Sequence, residues 1–265
     1  MTAPLGNITR GTTAPNRLRR CDRWLIHVEC SRLVSLDHAL VIDLGYGAYP
    51  VTTRELADRL HRNVRDDIEV VGLEIDPQRV QQAMPFEKPH LRFRRGGFEL
   101  AGMHAHVVRA FNVLRQYDES SVQRSWQEMY SHVAPGGLIV DGTCDEIGRR
   151  SAWLAIRKTD DTVATPQSLT LSTQLASLGQ PSDLAERLPK ALIHHNVPGQ
   201  PVHEFLRAFD RAWAVNAPHG SFGARQRWIA AVEMLAQQGT PIIGDRKRWS
   251  LGEVTVPWSL VAPIL

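Results

Sequence analysis

Val41-Ile42-Asp43-Leu44-Gly45-Tyr46-Gly47 reads as a short apolar strand that ends in an acid and runs into two glycines spaced Gly-x-Gly. Residues without a Cβ let the backbone approach a ligand closely, so such a turn at a strand end is a candidate binding loop. The acid narrows the choice of ligand. A pyrophosphate here would be disfavoured beside the Asp43 carboxylate, whereas an amino group or a sulfonium cation would be favoured. A lone Gly-x-Gly arises by chance in many turns, so its meaning depends on the elements downstream of it and on their distances.

The next apolar run, Glu69-Val70-Val71-Gly72-Leu73-Glu74, comes after one amphipathic helix. In Arg54 to Leu60 the apolar residues Leu56, Ala57 and Leu60 have helical spacing, with Thr52 and Thr53 as candidate caps. The second strand also ends in an acid, Glu74, about thirty residues after the first glycine. In nucleotide-binding βαβ units an acid at this point, roughly 20 residues or more past the glycine turn, accepts hydrogen bonds from ribose hydroxyls. Taken alone, Glu74 is equally a surface acid at a strand end. Asp76-Pro77 then opens the next helix, with proline in the first turn.

The run from Val41 to Val140 resembles the class I S-adenosylmethionine-dependent methyltransferases. Asp43-Leu44-Gly45-Tyr46-Gly47 is similar to that family's first motif, and Glu74 to its ribose-binding acid. His106 to Leu114 resembles the fourth-strand motif, whose end faces the transferred methyl. Val133-Ala134-Pro135-Gly136-Gly137-Leu138-Ile139-Val140 resembles the Pro-Gly-Gly turn into the fifth strand. The resemblance implies an α/β fold: a Rossmann-like, seven-stranded, mostly parallel sheet with a final antiparallel strand pair. It implies S-adenosylmethionine as cofactor, held by Asp43, Gly45, Tyr46, Gly47 and Glu74, with Asn112 lining the site near the methyl; Phe98, outside the family pattern, is a candidate to pack against the adenine. Two positions depart from the family. Ala48-Tyr49 stands where a third glycine is common. Arg95-Gly96-Gly97-Phe98 replaces the usual acid after the third strand, so a backbone group or another side chain must contact the adenine amino group.

Length and composition suit a globular enzyme. The 265 residues can bury a full core, and 43% hydrophobic with 22% charged content is ordinary. No apolar run approaches the roughly 18 residues that cross a bilayer, and the N-terminus lacks a signal-peptide core, so a cytoplasmic location is expected. Three widely spaced cysteines, Cys21, Cys30 and Cys144, argue against a zinc clip or disulfide framework. The net charge of +3 is too small to indicate nucleic acid by itself. The basic segment Arg17 to Trp24 either clamps a carboxylate or is a solvated helix face.

Three regions are expected. Residues 1–35 form an N-terminal arm, with a Pro/Gly/Thr-rich mobile start from Thr2 to Pro15 and then a helix over Leu18 to Leu33. Residues 36–175 form the sheet domain. Its last strands are read at Gly137 to Asp141, Ala152 to Arg157 and Leu169 to Thr173, with a short Thr143 to Arg150 connection. Residues 176–265 form a mainly helical C-terminal cap over the acceptor, with helices at Asp183 to Ile193, His203 to Val215 and Ala224 to Gln237 and a strand-like run Arg248 to Trp258. Trp213, Trp228, Trp249 and Trp258 lie in the cap beside Arg225, Arg227 and Arg246 to Arg248. This pattern either stacks bases or is core beside a basic edge, and a small-molecule acceptor is favoured over nucleic acid.

Asp145 and Glu146 follow the fifth strand on the ligand side of an open α/β sheet. Either is a candidate catalytic base for an acceptor hydroxyl or amine, and both are also ordinary turn residues. His194-His195 and the pair His104 and His106 lack a third ligand, so no metal is expected. No Gly-x-Ser-x-Gly elbow supports a hydrolase. A nicotinamide-dependent oxidoreductase and a non-catalytic binding protein on the same scaffold remain the alternatives.

Overall fold

The computed structural model describes residues 3–159 and 161–264. Helix α1 (Arg19–Ser35) leads into β1 (Leu40–Leu44), α2 (Val51–Asn63), β2 (Glu69–Glu74), α3 (Pro77–Ala83), β3 (Leu91–Arg95), β4 (Ala105–Phe111), α4 (Val122–Ser131) and β5 (Val133–Cys144). β1, β2 and β4 are apolar and buried along nearly their whole length, as strands covered on both faces must be. The five strands pair in parallel in the order β3-β2-β1-β4-β5. The order reverses between β1 and β4, and at such a switch point the carboxyl ends of the strands open a crevice.

Helix starts follow local chemistry. Asp76 caps α3 by accepting from Gln78 N at 2.9 Å, with Pro77 at the first helical position. Thr52 and Thr53 do not cap α2. The helix begins one turn earlier, after Pro50, and Thr53 Oγ1 instead donates to Asp43 Oδ2 at 2.6 Å.

The resemblance implies seven strands with a final antiparallel pair, and the described residues form eight. β6 (Arg150–Arg157), β7 (Ser168–Thr173) and β8 (Glu253–Pro257) extend the order to β3-β2-β1-β4-β5-β6-β7-β8. Residues 145–149, between β5 and β6, are too few for the crossover helix that a parallel connection needs. Gly136 N donates to Lys158 O at 3.0 Å, and Lys158 N to Gly137 O at 2.8 Å. β7 pairs antiparallel with β6 and β8 with β7, the latter formed from the strand-like run near the C-terminus.

By internal contacts the chain forms two units. The first runs to Gly148 and takes in Ile156–Thr165; the second comprises Arg149–Ala155 and the chain from Pro166 on. The second unit carries α5 (Lys190–Ile193), α6 (Pro201–Val215) and α7 (Ala224–Gln237). The helix read over Asp183 to Ile193 is broken into a 3-10 turn, Pro181–Arg187, and the short α5, because Pro189 has no amide to continue it. α6 and α7 meet through Phe209 and Trp228, both fully buried, with ring centroids 4.9 Å apart. Three of the arginines beside the tryptophans are engaged within this unit. The Arg227 guanidinium lies 4.0 Å over the Trp213 ring, Arg246 pairs with Glu233, and Arg248 Nε donates to Glu253 at 2.7 Å.

Candidate functional site

Three carboxyl ends define the crevice in the first unit. β1 ends at Gly45, whose φ of 70° suits glycine and whose N donates to Leu73 O at 2.7 Å. A Cβ on Gly45 would come within 2.7 Å of Val113, just after β4. β2 ends at Glu74, whose side chain is held on two backbone amides. Its Oε2 accepts from Gly47 N and its Oε1 from Ile75 N, each at 3.0 Å, and Arg79 stands 3.5 Å away. Glu74 is only 1% exposed, so its orientation is fixed rather than sampled. β3 ends in Gly96-Gly97-Phe98, and Gly96 N donates to Glu74 O at 3.1 Å.

These ends surround a small, partly open pocket. Gly45, Glu74, Ile75, Phe98, Val113 and Tyr117 form one side of it. Leu5, Asn7 and Thr9 form the other. The start of the chain, expected to be mobile, is laid along the crevice. Leu5 N donates to Glu99 Oε2 at 2.8 Å, Phe98 N to Leu5 O at 2.9 Å, and Asn7 N to the Tyr117 hydroxyl. Further along, Arg10 N donates to Gln116 Oε1 at 3.1 Å, Arg79 to Thr9 O at 2.9 Å, and Ala48 N to Gly11 O at 2.9 Å.

Of the expected cofactor residues, Gly45, Glu74 and Phe98 line this pocket, and Gly47 supports it through its bond to Glu74. The other three are engaged elsewhere. The Asp43 carboxylate lies below the turn, where Oδ1 accepts from Arg109 Nε at 2.9 Å and Oδ2 stands 2.8 Å from Arg109 Nη2. Tyr46 packs edge-on against Phe93, centroids 5.4 Å apart, in the space Gly72 leaves open. Burial next to Glu74 and Asp43 raises the Tyr46 phenol above its ordinary range. Asn112 caps the end of β4: with φ 58°, its Oδ1 accepts from Cys144 N at 3.0 Å and its Nδ2 donates to the buried Cys144 Sγ at 3.3 Å. Asparagine is among the few residues that tolerate this backbone conformation.

The catalytic candidates Asp145 and Glu146 sit in the turn after β5 and are not among the pocket-lining residues. The Asp145 carbonyl accepts from Arg17 Nε at 2.9 Å, and Glu146 is exposed. Sequence reasoning missed the strap from Leu5 to Gly11, Ile75, Val113 and the Tyr117 hydroxyl. The only advance signal was a set of glycines, Gly6, Gly11, Gly47 and Gly97, and their pairing cannot be read from order alone. Gly11 O would meet a Cβ on Gly47 at 2.8 Å.

Fold and crevice define a Rossmann-like α/β protein with a pocket at its switch point. No family model and no curated protein matches the sequence. Among solved structures the chain is similar to magnesium protoporphyrin IX methyltransferase from Synechocystis PCC 6803 with bound S-adenosylhomocysteine: 16% identity, 48% of this chain and 54% of that one, TM-score 0.37. It is also similar to human N-acetylserotonin methyltransferase in complex with S-adenosylmethionine: 20% identity, 47% and 37% covered, TM-score 0.33. A third is the methyltransferase domain of citrinin polyketide synthase: 16% identity, 42% and 30% covered, TM-score 0.35. The chain thus spans about a third to a half of these proteins' lengths. Scores this low leave the function to be read from the site's own geometry. Among the described residues, no helix is long and apolar enough to cross a membrane.

Proposed function

We propose that the chain is an S-adenosylmethionine-dependent methyltransferase acting on a small-molecule acceptor. The observation that carries this reading is Glu74, a buried carboxylate fixed by two backbone amides at the end of β2 and turned into the crevice beside Gly45 and Gly96-Gly97-Phe98. A carboxylate so placed accepts a ribose diol, and the glycines leave room for the nucleoside. Ile75, Phe98 and Val113 offer apolar faces for a flat base. Asp43 braces the turn from beneath through Arg109 and Thr53 and so positions Gly45.

The cofactor supplies an activated methyl on a sulfonium. The protein's part is alignment and exclusion of water, which can supply much of the rate in such a transfer. No side chain of the crevice needs to act as base unless the acceptor arrives protonated. Asp145 and Glu146 stay the candidates for that role, next to the end of β5.

One observation favours a second reading, a non-catalytic protein on the same scaffold: the chain's own start occupies part of the pocket. A dinucleotide also stays in the test, because Arg109 neutralises Asp43 and so weakens its repulsion of a pyrophosphate. Isothermal titration with S-adenosylmethionine, S-adenosylhomocysteine and NADH separates the three. Binding of the first two alone is expected, and binding of NADH alone would sink the proposal. Glu74→Gln keeps the size but loses the charge-assisted acceptor, so its affinity for S-adenosylhomocysteine is expected to fall about tenfold or more. Unchanged affinity would remove Glu74 from the site.

A further inference from the structure

We propose that Leu5–Gly11 is a removable plug whose docking and cofactor binding exclude each other, an inference that rests on the proposed cofactor site. The strap claims the groups a nucleoside would need. Leu5 O takes the Phe98 amide, Asn7 N takes the Tyr117 hydroxyl, and Gly6 is packed against Ile75, Phe98 and Tyr117. A Cβ built on Gly6 would lie 2.8 Å from the Tyr117 oxygen and 2.9 Å from Ile75 Cδ1, so the backbone itself fills the slot between these side chains. A Cβ on Gly97 would overlap the Leu5 carbonyl, showing the same contact from the other side. With the strap in place the free space left in the pocket is about that of a single water, far too little for a nucleoside.

The strap is also held loosely enough to leave. Its attachments are scattered hydrogen bonds, at most two to a residue, and its larger apolar side chains stay about half in solvent: Leu5 is 46% and Ile8 55% exposed. Segments with few buried apolar contacts open at low cost. A ligand that enters only the open form binds with an apparent affinity reduced by the open fraction. The start of the chain therefore sets how much cofactor is needed to load the site.

Gly6→Val in the full-length chain tests this by its sign. The residue has φ 132°, which a β-branched side chain resists, and the added atoms collide with Tyr117 and Ile75 only in the docked form. The variant is expected to bind S-adenosylhomocysteine at least tenfold more tightly than wild type by titration, and to be cut faster by trypsin after Arg10. In the wild-type chain, adding S-adenosylhomocysteine is expected to speed hydrogen exchange across Leu5–Gly11. Equal or weaker binding by the variant, or a strap protected by the ligand, overturns the plug and leaves the cofactor reading in place. A wild-type chain and variant that both fail to bind overturn the plug and that reading together.

Discussion

Arg109→Ala is expected to destabilise the first unit by about 3–5 kcal/mol, the usual loss when one partner of a buried ionic group is removed. Arg109 is fully buried on β4 and lies between two acids that are also out of water, Asp22 on α1 and Asp43 on β1. It donates as well to Thr52 O at 3.0 Å. Burial pushes the Asp22 carboxyl up, and Arg109 and Arg59 oppose that push. Removing Arg109 leaves, among the described residues, Arg59 as the ion-pair partner of Asp22 and the Thr53 hydroxyl as a donor to Asp43, so two desolvated carboxylates lose most of their compensation. Chemical denaturation of wild type and variant measures the loss. Changing all three residues together, Asp22→Leu, Asp43→Leu and Arg109→Met, should recover much of it, since apolar replacement of a buried ionic triad is often neutral or better. A loss below about 1 kcal/mol in the single variant would show that water reaches the network and screens it.

Asp141→Asn should flatten the pH dependence of stability. Asp141 on β5 is buried and accepts from Trp126 Nε1 at 3.0 Å. Burial outweighs that bond and pushes its carboxyl up to about 7. The unfolded chain gives up this proton near pH 4, so from pH 4 to about pH 7 the folded state holds a proton that the unfolded state has lost. Stability is therefore fully present below pH 4 and is lost as pH rises through about 7, by about 4 kcal/mol from this group. Asparagine keeps an acceptor for Trp126 and never ionises. Unfolding midpoints at pH 4.5 and pH 8 should show the variant gaining on wild type at the higher pH. Parallel profiles would refute the assignment.

What the sequence showed and what it hid divide along chain distance. β1, β2 and α7 are legible because strand runs and helical spacing are local, and Glu74 is legible because a strand end and a glycine turn fix its place. The neighbours of Asp43 in the sequence suggest a ligand for a cation and say nothing of Arg109, 66 residues on. Asn112 looked like a pocket residue, yet its amide is used on Cys144, 32 residues away. The composition of the strap suggests mobility, whereas in the fold it finds acceptors and donors at Phe98, Glu99 and Tyr117. β8 pairs with β7 across some eighty intervening residues, a register that only packing can set.

The buried thiols have a use of their own. Cys144 at the end of β5 and Cys21 on α1 are both out of solvent, and burial pushes both thiols up, so at neutral pH neither offers the thiolate that reacts. Cys30, the remaining cysteine, is partly open. In the folded chain a thiol reagent therefore reaches one sulfur at once, and the other two only as often as α1 or the end of β5 comes away. The rate of that slow labelling is a clock for opening of the first unit, carried by the native sequence without an added probe.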